Sequence, residues 1–385
     1  MKDVTLITTF FDSPFHSNRA PYNEQLFLRL KDMFNVRIIR PISWVDITSS
    51  KLNLRKKEYF DGEWNGIPVQ FPTFYFIPRY VLGFRGFMFW ISVYATFNRM
   101  RTIPDIFFSS WAYPDAYATM KLAKKHNRPM VMSVLGSDIN VLPNHPQMRS
   151  KIQEVIRFAS AIFSPSAALR DLVIELGGDP QKVHVVYSGI DDKLFFSRNK
   201  LECEKELGIP QDRKRLIYVG NFKIAKGVMD YLSAVKKVSD SRRDFEALII
   251  GKGEAESEIL KFIADHQLES VVRVVGEVSH HDLNAWMNAS DCLCLPSYNE
   301  GLPNVVLEAL TCGIHVVATN VGGIPEAIVD PDAHLVNPGD IDQLAAYLDR
   351  ALFDPDFETA ASFKIPSYQQ MAEKVYELSL EACEA

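Results

Sequence analysis

The chain predicts an α/β protein built from two Rossmann-like domains. At 385 residues it is too long for one average hydrophobic core. Apolar runs of strand length alternate with helix-length segments along most of it, the pattern of a parallel sheet wrapped by helices. Several of those runs end in a turn that leads straight into a helix start, where open α/β sheets bind ligands. A hydrophobic content of 47% and a charged content of 23% fit a globular chain.

Residues 5–11 read as the opening strand. Its exit loop, DSPFHSNRAPYNEQ, offers Asn18, Arg19 and Asn23 at the carboxyl end of a strand. It is either a ligand-facing loop or plain surface. A helix over 23–33 and a strand over 36–40 follow. Residues 51–66 are polar, with a basic knot, KLNLRKK. The run over 71–98, FPTFYFIPRYVLGFRGFMFWISVYATFN, is dense in aromatics and interrupted by Arg79 and Arg85. It is too broken to span a bilayer. Two readings stand: an amphipathic face lying on a membrane, or a helix packed on the sheet. From Pro104 onward the alternation is regular. IFFSSW is a strand, AYPDAYATMKLAKKH a loop and helix, and RPMVMSVLGSDINVLP a strand with its exit loop. In that loop Asp138 is either a contact for substrate hydroxyls or a helix cap. Helices over 148–159 and 166–177 flank a strand at 161–164. Residues 183–195 form a strand and the turn into the second domain, with the boundary near Asp191.

The second half opens with a strand at 215–219, then Gly220, a short loop with Asn221 and Lys223, and Lys226-Gly227 at a helix head. FEALIIGKGEAESEIL repeats the strand, turn and helix; its Gly251 and Gly253 fit a tight turn and lack a full dinucleotide fingerprint. His280 and His281 are adjacent in a loop without a third ligand at suitable spacing, so they do not read as a metal site. The most informative stretch is PSYNEGLPNVVLEALTCGIHVV, from Pro296. A buried strand at 292–295 leads into a turn with Glu300 and Gly301. Pro303 stands at the first position of a helix over 304–311, where its missing N–H costs nothing. Gly313 stops the helix before a strand at 314–318. Strand, glycine turn and open helix N-terminus make an anion site. Glu300 and Glu308 around it supply acceptor oxygens suited to a vicinal diol.

Glu300 and Glu308, set in PSYNEGLPNVVLEALTCGIHVVATNVGGIPEAI, resemble the donor-site signature of glycosyltransferase family 4. The resemblance implies the GT-B fold, two Rossmann-like domains facing a cleft, and retaining transfer from a nucleotide sugar. It places Glu300 beside the donor sugar and Glu308 on the nucleotide ribose. It sets the amides of Gly301, Leu302, Pro303 and Asn304 toward sugar and diphosphate. Lys226 matches the family's diphosphate-clamping lysine. Asn221 stands where relatives carry an arginine, leaving a contact without charge. Val278 falls where relatives meet the base. The first half resembles the family's PDI…HW…YPD…GSDI run, with Ser110 and Leu135 where relatives often have histidines. Leu135 cannot shuttle a proton. The implied catalytic set is Glu300, Lys226 and Asp138, with Asn18 and Arg19 on the acceptor side.

The implied domains are residues 1–190 on the acceptor side, 191–365 on the donor side, and a C-terminal helix over 366–385 returning to the first. No cofactor or metal is implied; a UDP- or GDP-linked sugar is the substrate, and a glycan or lipid-linked molecule the acceptor. The reaction implied is hexosyl transfer in polysaccharide or glycoconjugate biosynthesis. Two alternatives share the fold: a catalytically weak sugar-nucleotide-binding subunit and a nucleotide-sugar epimerase.

A net charge of −6 argues against nucleic-acid binding, but residues 1–190 carry 23 Lys and Arg against 15 Asp and Glu, and residues 191–385 carry 19 against 33. A basic first half suits an acidic acceptor or an anionic membrane face, and is also ordinary scatter. Five cysteines without framework spacing suit a reducing cytoplasm. Cys292 and Cys294 alternate on a strand and read as core. The N-terminus lacks a signal-peptide pattern and no segment reads as transmembrane. The expected location is the cytoplasm, with peripheral contact on the inner membrane face as an option.

Overall fold

The computed structural model describes residues 1–11, 21–49, 61–75, 82–211, 213–330, 332 and 334–384. It divides into two compact units: Met1–Gly189 with Pro366–Ala385, and Ile190–Ile365. Asn18, Arg19 and the basic knot lie outside the described residues.

The first unit is built on an eight-stranded sheet. In spatial order its strands are Val183–Val185, Ala161–Ser164, Met130–Ser133, Ile106–Ser110, Asp3–Ile7, Asn35–Ile39, Ile67–Gln70 and Asp61–Trp64. All pairings are parallel except the last. Strands covered on both faces are apolar throughout: every residue of Met130–Ser133 and Ala161–Ser164 is buried. The first strand ends at Ile7, short of the 5–11 read from sequence. Thr8 Oγ1 donates to the Ser110 carbonyl and accepts from Phe10 N, which turns the chain out of the ladder. The next helix runs Pro21–Leu30 rather than over 23–33. Asn23 is a buried member of it, its amide donating to the Phe10 carbonyl at 2.9 Å, so it is not a loop ligand.

Of the aromatic run, Thr73–Phe74 form a short strand and residues 82–98 lie in the helix Leu82–Met100, while residues 76–81, with Arg79, lie outside the described residues. Phe89, Val93 and Phe97 face the core, while Phe87 (43% exposed) and Ile91 (40%) face outward. No helix among the described residues is long and apolar enough to cross a membrane. The last helix, Tyr368–Glu384, buries Met371, Val375 and Leu378 in the first unit and sets Tyr376 against Phe34 at 4.7 Å. A Cβ on Gly189 would come within 2.7 Å of the Tyr368 backbone, so that helix start packs where only glycine fits.

The second unit holds a six-stranded, all-parallel sheet in the order Val272–Gly276, Phe245–Ile250, Lys214–Val219, Cys292–Leu295, His315–Thr319, Leu335–Val336. Cys292 and Cys294 lie fully buried in its core. Buried Arg215 bonds Glu246 at 2.8 Å and also Glu204, anchoring the central strand at its start.

Candidate active site

The second unit's strand ends carry the site. After Lys214–Val219 the chain makes a single 3-10 turn, Ile224–Lys226, and enters the helix Val228–Ser241 through Gly227. Gly227 has φ +71, and a Cβ there would sit 1.9 Å from the Pro296 carbonyl oxygen. That close approach lays the Lys226 turn on the segment after Cys292–Leu295, where Tyr298 N donates to the Ala225 carbonyl at 3.0 Å. Gly322 does the same from the far side. Its φ is +56, and a Cβ would come 2.1 Å from the Glu300 carbonyl oxygen. Gly323 N donates to the Gly301 carbonyl. Two glycines thus hold the Glu300-Gly301 turn between two loops.

The result brings Lys226 and Glu300 together. Lys226 Nζ donates to both Glu300 oxygens, at 2.7 and 2.9 Å. Glu300's side chain is 10% exposed and Lys226's 34%. Pro303 is the extended residue before the helix rather than its first position, and the helix runs Asn304–Cys312. No side chain caps that N-terminus. Asn304 Nδ2 and Ser297 Oγ are buried with no hydrogen-bond partner among the described residues. Unsatisfied donors beside an open helix end are unusual in a closed structure and suit a site that takes an oxygen-rich ligand. Leu302 is buried, and Gly301 and Pro303 half-buried, along the same turn.

Glu308 lies one turn inside that helix, its side chain 4% exposed, with Oε1 2.9 Å from His280 Nε2. The sequence reading weighed His280 only as a metal ligand and missed this contact; nothing in local spacing connects residues 28 apart. His281 diverges, 88% exposed beside Asp282. Burial pulls the His280 pKa down, but the hydrogen bond and charge of Glu308, with the charge of Asp191, outweigh it and hold the ring above its ordinary value. Val278 is half-buried between Val272–Gly276 and the helix His280–Asn288. Asn221 is exposed in the loop after Gly220, as is Lys223. Gly251 and Gly253 admit that loop closely: a Cβ on Gly251 would meet the Gly220 oxygen at 2.0 Å, and one on Gly253 the Phe222 oxygen at 2.6 Å. No group of three or more His, Cys, Asp or Glu among the described residues is arranged to hold a metal.

Asp138 does not join this set. It is fully buried, with Oδ1 accepting from Leu135 N (3.0 Å) and Gly136 N (2.9 Å) and Oδ2 from Ala112 N (3.1 Å). Burial pushes its carboxyl up to about 6, against those three amides. Both oxygens accept from the backbone, which gives Asp138 a scaffolding role. Through Ala112 N it ties down the turn that follows Trp111, whose φ of 130 is strained for a side-chain-bearing residue. Asp115 accepts from Thr9 N and Thr9 Oγ1 and ties the same turn to the first strand. The Trp111 ring stacks on Phe10 at 4.2 Å. Both line a cavity of about 510 Å³ in the first unit, with Arg40, Ser43, Asp46 and Tyr113.

Two α/β units on largely parallel sheets, with loop-borne groups at the strand ends, have the architecture of the GT-B class of glycosyltransferases. The comparisons with known proteins agree. The profile of "Glycosyl transferases group 1" matches residues 199–374, and that of "Glycosyltransferase Family 4" matches residues 50–194. A putative teichuronic acid biosynthesis glycosyltransferase of Bacillus subtilis is 26% identical, over 90% of this chain and 88% of its own length. N-acetyl-alpha-D-glucosaminyl L-malate synthase of Bacillus anthracis is 30% identical, over 61% of this chain and 62% of its own. Among solved structures, Anabaena HepE in complex with UDP superposes with a TM-score of 0.70 at 18% identity, covering 100% of this chain and 98% of that one. At that identity the likeness is one of fold. The chain belongs to glycosyltransferase family 4.

Proposed function

We propose that this glycosyltransferase moves a hexosyl unit, with retention, from a UDP- or GDP-linked sugar to a glycan or lipid-linked acceptor in surface-polysaccharide or glycoconjugate biosynthesis. The observation that carries the reading is the Lys226–Glu300 pair at the uncapped N-terminus of Asn304–Cys312. A diphosphate would draw Lys226 from Glu300, and the freed carboxylate would then accept from sugar hydroxyls. The helix dipole, the N–H groups of Gly301, Leu302 and Asn304, and Lys226 would carry the leaving diphosphate's charge without a divalent ion. Asn221 would add a neutral contact, and Val278 would border the base. Glu308 would take the ribose. In a front-face displacement the bond from the anomeric carbon to the diphosphate oxygen breaks as the acceptor oxygen bonds on the same face, and the acceptor's proton passes to the leaving diphosphate. No protein nucleophile is needed, so positioning and charge do the catalysis.

The acceptor would enter the first domain at the Trp111 cavity, whose aromatic wall and polar Ser43 and Asp46 suit a sugar ring. The polysaccharide assignment draws on the Bacillus subtilis relative, described as acting in teichuronic acid biosynthesis. Leu135 and Asn221 favour one other reading, a binding subunit that holds the donor without turnover. Thermal shift with UDP, GDP, ADP and their hexose conjugates in EDTA tests the donor and the metal-free reading, since a ligand bound to the folded state raises Tm by mass action. One nucleotide should stabilise the protein in EDTA, and stabilisation by none contradicts the proposal. NMR of the product's anomeric centre then reads retention or inversion, and donor binding with no transfer to any acceptor favours the subunit reading.

A further inference from the structure

We propose that His280 is a positioning residue of the nucleotide site, fixing the Glu308 carboxylate so that its second oxygen meets the ribose hydroxyls of a nucleoside diphosphate. The inference rests on the ribose reading of Glu308.

A glutamate side chain has several rotatable bonds, and a ligand that must order them loses affinity. Glu308 is ordered already. It is almost wholly buried, and Oε1 is held at 2.9 Å by His280 Nε2. Because a carboxylate only accepts, Nε2 carries the hydrogen in that contact, whether the ring is neutral or charged. His280 is itself fixed from three sides. It opens the helix His280–Asn288 directly after Ser279, whose hydroxyl accepts from Asp282 N. Its ring lies 4.9 Å from Phe195. The charge of Asp191, in the segment that opens the second unit, also acts on it. On its own helix, His281 points to solvent and pairs with Asp282. The ring is still 41% exposed while the carboxylate is 4% exposed, so the contact lies at the edge of the core. A plain core contact would bury both partners. A buried carboxylate with one oxygen committed to a half-exposed donor is an acceptor aimed in advance.

A site built to bond a hydroxyl discriminates against the analogue that lacks it. Preference for ribose over deoxyribose therefore isolates the role from general stability. The experiment is calorimetric titration of UDP and GDP, each against its 2′-deoxy and 3′-deoxy counterparts, with wild type, Glu308→Ala, His280→Ala and His280→Gln. Wild type should favour one ribonucleotide over a deoxy form by about 10-fold or more. Glu308→Ala should abolish the preference. His280→Ala should cut it at least about 5-fold, with unchanged circular dichroism, and His280→Gln, which keeps an N–H donor, should recover part of it. If Glu308→Ala abolishes the preference while His280→Ala keeps it, or weakens ribo and deoxy forms equally, the role of His280 is overturned alone. If Glu308→Ala keeps the preference, or wild type shows none, the ribose reading falls and this inference with it. Should His280→Ala lose its fold, His280→Leu takes its place, keeping bulk without a donor: loss of the ribose preference in the folded leucine variant supports the role, and a wild-type preference there overturns it.

Discussion

The two domains share a plan and differ in how their strand-end groups are marked in the sequence. In the second, the Lys226 turn and the Glu300 turn are each short glycine-bearing stretches directly after a strand. Gly227 and Gly322 press them together. In the first, the cavity joins the ends of separate strands, and the turn after its key ring, Trp111, is held at Ala112 N by Asp138 from 26 residues away and braced through Asp115 to Thr9, 106 residues distant. Groups carried on one turn leave a readable pattern. Groups held by buried struts across the sheet do not.

The largest expected effect breaks the second domain's chemistry. Lys226→Ala should lower kcat by about 10²–10³-fold, the loss expected when one preorganised charge leaves a developing anion. Acceptor KM should hardly move. Steady-state kinetics check both, and a change confined to acceptor KM would move the charge clamp elsewhere. Next, Gly227→Ala should destabilise the fold by about 2 kcal/mol or more, because a Cβ meets the Pro296 carbonyl and the residue must keep a positive φ. Denaturant unfolding measures it.

Asp138→Asn sharpens the contrast from the first domain. An amide can accept from the backbone on one side only, leaving buried N–H groups short of a partner, so about 1–3 kcal/mol of stability should be lost. Nucleotide affinity should stay unchanged. Weaker nucleotide binding in a folded Asp138→Asn protein would contradict the scaffolding role. Trp111→Ala should raise acceptor KM by about 10-fold through lost ring contact, again with nucleotide binding intact.

The smallest effect is a pH dependence. The folded pKa of His280 is raised, so its stabilisation is fully present below the unfolded value near 6.5 and is lost as pH rises through the folded one. The Tm difference between wild type and His280→Gln should therefore be about 1–2 °C larger at pH 6 than at pH 8.5. A difference that grows with pH would reverse the assignment.

The sequence carried the alternation of strand and helix well, because strands buried on both faces are apolar runs with sharp ends: Cys292–Leu295 falls at the residues read from the pattern. Ends set by side-chain bonds were less legible. Nothing in the run at 5–11 says that Thr8 turns toward Ser110, and the strand stops at Ile7. Pro303 fits both the residue before a helix and its first position, and the backbone chose the former. The aromatic run divided between core and surface because its period fits a helix with two apolar stripes. Asp138 looked catalytic because an acidic residue in a strand-end loop reads alike whether it faces substrate or three amides. His280 was invisible as a partner of Glu308, since only the fold brings the two helix starts together.

Hydrogen exchange of the protein with and without UDP or GDP tests most directly the claim that the donor site lies in the second domain. Protection on binding should concentrate in the amides after Gly220, around Val278 and His280, and from Gly301 through Glu308. Protection centred instead on Thr9, Arg40 and the Trp111 turn would place the nucleotide in the first domain and contradict the account.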